Sequence, residues 1–249
     1  SYRVPGIVHD LAMGIVKRVS KRLHKEWEPR SKSGSLSYYH EFKDIDMSSG
    51  EWFVLARTRH MLNELENVLY SKGLYYQNKF KKGYEKDLYE AVIDWEEWRK
   101  NKDLNADQIK RIASYMSPNH YQKENLQYLD KDKSYNITEA YNNQGLKTKL
   151  VWYDAFDSAP LKQIKYIRKM RANGEQLNKP PRILLSTIHG VKGGEAENVV
   201  LLSDLSRNTQ KNMDRFPDDE NRLFYVGATR TKDHLHIVRP KDIYKSFRI

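Results

Sequence analysis

Three short apolar runs in the last third of the chain constrain its fold more than any other feature. They span residues 183–185, 199–202 and 235–238. The first two are continuous, which is typical of strands that are covered on both faces, as in a parallel sheet. A fourth run at residues 52–56 predicts a central strand, and a helical pattern follows it. The sequence therefore predicts an α/β fold with a mostly parallel sheet flanked by helices.

Polar residues and glycines fill the segment between the first two runs. An open α/β sheet usually binds its ligand directly after a buried strand, and glycine lets the backbone approach that ligand closely. This segment is therefore a candidate binding loop. Its polar residues and glycines include Ser186, Thr187, His189, Lys192, Gly193, Gly194 and Glu195.

A second helix is predicted to begin at Pro217, because proline and the three acidic residues after it suit the first turn of a helix. The apolar residues of this helix would face the sheet, and Arg230 would emerge near its end. Taken alone, a cation at this position is typical of a solvated helix end. The role of Arg230 therefore depends on its neighbours.

Two segments together resemble motifs V and VI of the UvrD/Rep family of superfamily 1 DNA helicases. Residues 187–195 read TIHGVKGGE and residues 222–230 read RLFYVGATR. The family typically shows T-x-H-x-x-K-G-L-E-F and R-L-x-Y-V-G-x-T-R-A in the same order. Gly194 replaces the usual leucine and Ala196 replaces the usual phenylalanine, so the packing of the loop on the sheet is expected to differ.

The resemblance implies a binding site for ATP and Mg²⁺. Tyr2 and Arg3 match the family's N-Y-R-S motif, whose tyrosine stacks on adenine and whose arginine approaches the γ-phosphate. Arg230 and Arg3 would act catalytically by neutralising charge on the γ-phosphate. Glu195 would bind the ribose, and Gly193 would lie in the nucleotide-binding loop. The Mg²⁺ ligands are expected in a first motor domain, because this sequence has no G-x-x-x-x-G-K-[ST] phosphate loop.

The resemblance also implies contacts with single-stranded DNA. The sequence VLARTR, which includes the end of the predicted central strand, resembles the family's V-L-Y-R-T-N. Arg57 and Arg59 would therefore contact the DNA backbone, although the family often has asparagine in place of Arg59. The alternative is that these arginines cap the sheet edge or pair with acidic residues. On the motif V loop, Thr187, His189 and Lys192 would face the DNA.

A change in composition divides the chain. Residues 81–178 show mainly helical patterns. The resemblance implies that they form a helical insert subdomain within a second RecA-like motor domain, which would consist of residues 1–80 and 179–249. Trp95 and Trp98 are expected in the core of the insert.

Helical periodicity predicts several further helices. They span residues 6–25, 104–116, 120–129 and 158–172. Asn105 is the predicted N-cap of the second of these helices, and Leu161 is predicted to point inward from the last. Residues 136–149 show no regular pattern and are expected to be irregular.

The charge of the chain favours a polyanionic partner. Its formal net charge is +11, and such a surface favours nucleic acid over an anionic membrane as the partner. There is no cysteine, which excludes disulfides and thiolate metal sites. No apolar run approaches the roughly 20 residues of a membrane span, and no signal peptide is visible. We therefore expect a cytoplasmic, soluble protein without a membrane partner.

These features predict the carboxyl-terminal motor domain of an ATP-dependent DNA helicase that translocates on single-stranded DNA and unwinds duplex at junctions. Its partner would be the first RecA-like domain of the same protein. The chain opens at Ser1 without an initiator methionine, so we expect a fragment of a longer protein that does not hydrolyse ATP alone. Two alternatives are a non-catalytic nucleic-acid-binding module on a helicase fold and part of a RecB-type helicase–nuclease. Arg230, Glu195 and Lys192 argue against a pure binding module, which has no need of γ-phosphate sensors.

Overall fold

The chain forms two compact units. The computed structural model describes residues 4–23, 27–81 and 86–249. The first unit combines Ser1–Lys82 with Pro181–Ile249, and the second unit is Gly83–Pro180.

The helices and strands are numbered in chain order. The strands are β1 (Ser35–Tyr39), β2 (Trp52–Ala56), β3 (Tyr76–Asn78), β4 (Leu104–Asn105), β5 (Ser134–Tyr135), β6 (Ile183–Thr187), β7 (Ala196–Leu202) and β8 (Thr231–Val238). The α-helices are α1 (Gly6–Val16), α2 (Arg59–Lys72), α3 (Lys86–Arg99), α4 (Ala106–Ser114), α5 (Ile137–Asn143), α6 (Trp152–Ala155), α7 (Leu161–Ala172), α8 (Arg207–Arg215) and α9 (Pro217–Ala228). Short 3₁₀ turns span Phe42–Asp44, Lys123–Tyr128 and Ile188–Val191.

The first unit is built on a six-stranded sheet with the order β1-β8-β7-β2-β6-β3. All five neighbouring pairs run parallel. In the middle of the sheet, Val54 lies between Leu185 of β6 and Val200 of β7. The predicted α/β fold with a mostly parallel sheet flanked by helices is thus confirmed, and it is consistent with a RecA-like domain.

Helices cover both faces of this sheet. On one face, α1 and α9 pack on alternate strand residues in a single apolar core that includes Leu55, Leu201 and Leu235. Because successive strand residues point to opposite faces, Val54 faces the other side, where α2 contacts β2 and β6. Val54 and Leu55 are both fully buried, which explains why the run at residues 52–56 shows no polar alternation.

The parallel arrangement creates two distinct edges of the sheet. At the carboxyl edge, Arg57 follows β2 and Ile188 follows β6. At the amino edge, β7 begins at Ala196 and β8 begins at Thr231. Helix α9 runs from the carboxyl edge back to the amino edge, and its 12 residues span about 18 Å. The described residues of the candidate site lie at or near these two edges.

The helix predicted at residues 6–25 is wrong in its second half, because α1 ends at Val16. The chain beyond it turns to bind the start of α9. The Asp218 carboxylate accepts hydrogen bonds from the Ser20 amide at 2.9 Å, the Ser20 hydroxyl at 2.7 Å and the Lys21 amide at 3.2 Å. These bonds lower the pKa of Asp218. Amides held by a distant carboxylate cannot continue a helix, and Leu23 is consequently exposed.

In the second unit, the helix predicted after Asn105 is confirmed, and the predictions for residues 120–129 and 136–149 are wrong. Asn105 caps α4 in a reciprocal capping box with Gln108, as predicted. Residues 120–129 do not form the predicted α-helix and contain only the 3₁₀ turn Lys123–Tyr128. Residues 136–149 are not irregular, because they contain α5, whose N-cap Asn136 accepts a hydrogen bond from the Glu139 amide at 2.8 Å.

The core of the second unit contains both predicted tryptophans. Trp95 and Trp98 are fully buried, and their ring centroids lie 5.9 Å apart. The indole of Trp98 donates a hydrogen bond of 2.9 Å to the Tyr135 carbonyl, which satisfies its buried N–H group. Leu161 does not point inward as predicted, because it is 64% exposed at the start of α7.

His236 makes the stability of the first unit depend on pH. Its ring packs against Trp52 and Tyr39, with centroid distances of 5.0 and 5.7 Å. Burial, with a smaller effect from His234, lowers the pKa of His236 to about 4. The unfolded chain therefore binds more protons than the folded chain between about pH 6.5 and pH 4, and stability falls as the pH falls through this window.

We expect the urea midpoint of the wild type to drop between pH 7 and pH 5, and that of His236→Gln to drop less. The control is His234→Gln, which removes the exposed neighbouring imidazole and is expected to leave the pH dependence in place. Equal slopes for the wild type and the His236 variant would contradict this assignment.

Candidate functional site

The predicted site residues separate onto the two edges of the sheet. Tyr2 and Arg3 lie outside the described residues. The residues assigned to DNA by resemblance, which lie at or near the carboxyl edge, are Arg57, Arg59, Thr187, His189 and Lys192. The remaining residues assigned to the nucleotide, which lie at or near the amino edge, are Gly193, Glu195 and Arg230.

The motif V loop leaves the carboxyl edge as a 3₁₀ turn that is capped by its first residue. The Thr187 hydroxyl accepts a hydrogen bond of 3.2 Å from the Gly190 amide. Thr187 is buried, whereas His189 and Lys192 are exposed. The threonine therefore shapes the loop, and the two basic side chains are the ones presented to solvent.

Arg57 is held by an acidic residue of α9. Its Nε and Nη2 atoms each donate a hydrogen bond of 2.7 Å to one carboxylate oxygen of Glu220. The side chains of Arg57 and Glu220 are only 18% and 4% exposed. This is a bidentate, largely desolvated ion pair, so Arg57 adopts the acid-paired arrangement that was one of its two expected alternatives.

Arg59 lies in the first turn of α2 and is exposed. Its guanidinium carbon lies 4.2 Å from the ring centroid of Phe80, a cation–π contact. Stacking on an aromatic ring leaves the edge of a guanidinium group able to donate hydrogen bonds. Arg59 is therefore positioned for an external anion in a way that Arg57 is not.

A groove of about 640 Å³ opens at the carboxyl edge between the motif V loop and the two helices α8 and α9. Its charged rim is largely neutralised internally, since Arg57 pairs with Glu220 and Arg222 lies 3.2 Å from Asp219. Lys192 also lines the groove, and it has no ion-pair partner among the described residues. The lining residues are Arg57, Ile188, His189, Lys192, Asn212, Phe216, Asp219, Glu220, Arg222, Leu223 and Val226.

Arg230 joins motifs V and VI at the amino edge. Its Nε donates a hydrogen bond of 3.0 Å to the Val226 carbonyl of α9, and its Nη1 donates one of 3.3 Å to the Gly194 carbonyl. The Ala196 amide donates in turn to the Arg230 carbonyl at 3.1 Å. Arg230 as a whole is half-buried, so its side chain is held in position by these bonds while the residue keeps some contact with solvent.

The departure from the family pattern at Gly194 has a physical reason. A Cβ atom on Gly194 would lie only 3.0 and 3.1 Å from two ring carbons of Phe53. The phenylalanine ring of β2 therefore fills the space that a larger side chain at position 194 would need. Ala196 is buried where the family has phenylalanine.

A charged cluster at the amino edge, which consists of Arg30, Lys32 and Asp233, was not predicted from the sequence. The Asp233 carboxylate pairs with Arg30 and lies 2.8 Å from the Lys32 ammonium. The hydrogen bond from Lys32 and then that from Arg30 lower the pKa of Asp233. The Arg30 amide also donates to the Val4 carbonyl at 3.0 Å, which brings the chain that follows Tyr2 and Arg3 to this edge.

Two features are absent from residues 4–23, 27–81 and 86–249. No group of three or more His, Asp or Glu side chains there could hold a metal ion. No helix there is both long enough and apolar enough to cross a membrane.

Comparison with known proteins identifies one family. The family model described as "UvrD-like helicase C-terminal domain" matches residues 24–241. This range includes the carboxyl edge, the amino edge and the whole of the second unit. No curated protein matches the chain.

Proposed function

Because the chain belongs to the UvrD-like helicase C-terminal domain family, we propose that it is the carboxyl-terminal motor domain of an ATP-dependent DNA helicase. In this role it translocates on single-stranded DNA and unwinds duplex at junctions. ATP binds between this domain and a first RecA-like domain of the same protein. That the chain is a helicase-family domain follows directly from the family match.

One observation carries the proposal. Residues assigned to DNA and residues assigned to the nucleotide lie toward opposite edges of one sheet, with the neighbours Lys192 and Gly193 on the loop that crosses between them, and two segments join these edges. The first segment is the motif V loop between β6 and β7, and the second is α9. A domain that only bound nucleic acid would not need a fixed, solvent-accessible arginine at the amino edge.

The amino edge suits the terminal phosphate of ATP. Arg230 is anchored through backbone carbonyls rather than through a carboxylate, so its positive charge is not neutralised by these partners. Beside it, a Cβ atom on Gly193 would meet nothing within 4 Å, which leaves the backbone open to a ligand. When bound, ATP supplies the phosphoryl group that is transferred to water. In our proposal Arg230 and Arg3 bind the γ-phosphate, Glu195 binds the ribose, and Tyr2 stacks on adenine.

The carboxyl edge suits a phosphate backbone. Lys192, His189 and Arg59 are exposed there, and phosphate contacts from such residues position a strand without reading its sequence. Thr187 acts by holding the loop that bears two of them. Mg²⁺ is expected to be held by the first motor domain and by ATP, so none of the described residues is expected to be a Mg²⁺ ligand.

The proposal is tested by the ATPase activity of the full-length protein with and without single-stranded DNA. We expect hydrolysis that DNA stimulates, and no hydrolysis by the present chain when it is purified alone. A full-length protein that binds DNA but does not hydrolyse ATP would favour the non-catalytic binding module instead.

DNA binding by the present chain gives a separate prediction. Lys192→Ala is expected to weaken binding of a fluorescein-labelled oligothymidine several-fold and to reduce the slope of log affinity against log salt by about 0.7, the contribution of one phosphate contact on a single strand. Fluorescence anisotropy at several salt concentrations measures both quantities.

The matched control is Lys32→Ala, which removes the same charge at the amino edge. Lys32 is 59% exposed and pairs with Asp233. If the two variants weaken binding equally, the effect comes from net charge alone, and the carboxyl edge is not the DNA-binding surface.

A further inference from the structure

The carboxylate of Glu220 is almost completely buried, and both of its oxygens are bound to Arg57. We propose that Glu220 is a positioning residue that competes with a DNA phosphate for Arg57, and that this competition makes α9 respond to DNA. The inference rests on the proposed function and adds to it a physical link between the two edges of the sheet.

Stability alone is a weak reason for this ion pair. Desolvating two charges costs several kcal/mol per ion, and apolar residues of similar volume often replace a buried pair without loss of stability. The pair joins β2 to the first turn of α9, two segments that are 163 residues apart in the chain. Its geometry is also specific, because two parallel hydrogen bonds fix the plane of the guanidinium group.

A phosphate and a carboxylate use the same donors of arginine. Both accept two parallel hydrogen bonds from the guanidinium group, so a DNA phosphate that binds Arg57 in this way removes the partners of Glu220. A buried carboxylate without a partner is strongly disfavoured. The start of α9 must then shift until Glu220 reaches water or another donor, which gives this helix two alternative positions.

A shift at the start of α9 has a direct path to Arg230. The helix packs closely on the motif V loop and on β7, since a Cβ atom on Gly227 would lie 3.2 Å from Ile188 of the loop and 3.1 Å from Leu201 of the strand. Its last turn provides the Val226 carbonyl that holds the Arg230 side chain. Dense packing of this kind transmits displacement rather than absorbing it. The Arg57–Glu220 pair therefore links occupancy of the carboxyl edge to the position of Arg230.

The test uses Glu220→Gln, which keeps the shape of the side chain and removes its charge. In the present chain, we expect this variant to bind oligothymidine about 2- to 5-fold more tightly, because a neutral amide competes less well than a carboxylate for Arg57. In the full-length protein, we expect the ratio of DNA-stimulated to basal ATPase activity to fall at least several-fold. A purely structural role predicts the opposite for binding, with weaker binding and a parallel loss of both activities.

Asp219→Asn is the matched control, since Asp219 lies in the same turn of α9 but is exposed and faces Arg222. It is expected to leave the ATPase ratio unchanged. The double variant Arg57→Met/Glu220→Met controls for misfolding, because it replaces the charged pair by an apolar one and leaves no buried charge without a partner. We expect it to keep the thermal midpoint and to lose most of the stimulation.

The results of these experiments distinguish failure of the proposed function from failure of the proposed competition for Arg57. If the wild-type full-length protein shows no DNA-stimulated hydrolysis, the proposed function fails. If it is stimulated and the Glu220→Gln and double-methionine variants are stimulated equally, only the competition is overturned. Unchanged or weaker DNA binding by Glu220→Gln in the present chain would overturn the competition without any ATPase measurement.

Discussion

Replacing Arg230 by alanine is expected to lower the DNA-stimulated turnover of ATP by the full-length protein by about 10³- to 10⁵-fold, the usual effect of removing an arginine that stabilises the charge of a transferring phosphoryl group. Arg230 is suited to this role because backbone carbonyls of α9 and of the motif V loop hold its guanidinium group. Single-stranded DNA binding should persist, since the residues proposed for DNA lie at the other edge. Steady-state kinetics at saturating DNA measure the effect on kcat.

Two variants distinguish charge from packing. Arg230→Lys keeps the charge but cannot donate to both carbonyls in the same fork geometry, so we expect only partial recovery of turnover. Arg215→Ala removes an exposed arginine from the last turn of α8 and should leave kcat unchanged. If the Arg230 variants lose thermal stability and DNA affinity in parallel with turnover, Arg230 is a structural bridge between motifs V and VI, and its proposed catalytic role is wrong.

The architecture of the first unit could be predicted from short-range sequence patterns. A strand buried on both faces needs an uninterrupted apolar run, and such runs occur in β2, β6 and β7. The acidic first turn of α9 and its proline marked the start of that helix. Features of this kind depend on neighbours within a few residues, which is why their positions were correct.

Features that depend on distant partners were not predictable in the same way. The helix does not resume beyond α1 because Asp218, almost 200 residues away, accepts hydrogen bonds from the amides of Ser20 and Lys21. The pairing of Arg57 with Glu220 was only one of two alternatives, because nothing in the local sequence identified the acid. The missed helix α5 is different, since the cap Asn136 and the acid Glu139 were visible in the sequence.

The candidate site shows the same division. Motifs V and VI indicated which residue types belong together, and their spacing predicted a strand, a loop and a helix. The separation of these residues onto two edges depends on the parallel order of the strands, which no motif contains. The roles assigned to DNA and nucleotide residues stay predictions, and the variants proposed for Lys192, Glu220 and Arg230 test them at separate points.

Gly34→Ala is expected to lower the free energy of unfolding of the first unit by about 2–5 kcal/mol. The backbone of Gly34 has a φ of +69°, which costs other residues about 1–2 kcal/mol. A Cβ atom would also lie 2.5 Å from Cβ of Pro5 and 2.6 Å from the Asp233 carbonyl oxygen, and overpacking of this kind typically costs about 1–3 kcal/mol. Urea denaturation, followed by tryptophan fluorescence, measures the change.

Gly193→Ala separates the cost of the positive φ from the cost of overpacking. Gly193 also has a positive φ, +89°, but a Cβ atom there would meet nothing within 4 Å. Its substitution should therefore show only the backbone cost of about 1–2 kcal/mol. The excess loss in Gly34→Ala then measures how tightly the segment at Val4 and Pro5 is held against β8, at the edge where Arg230 lies. Equal losses in the two variants would mean that this segment yields easily, and that the amino edge does not hold the chain next to Tyr2 and Arg3 in a fixed position.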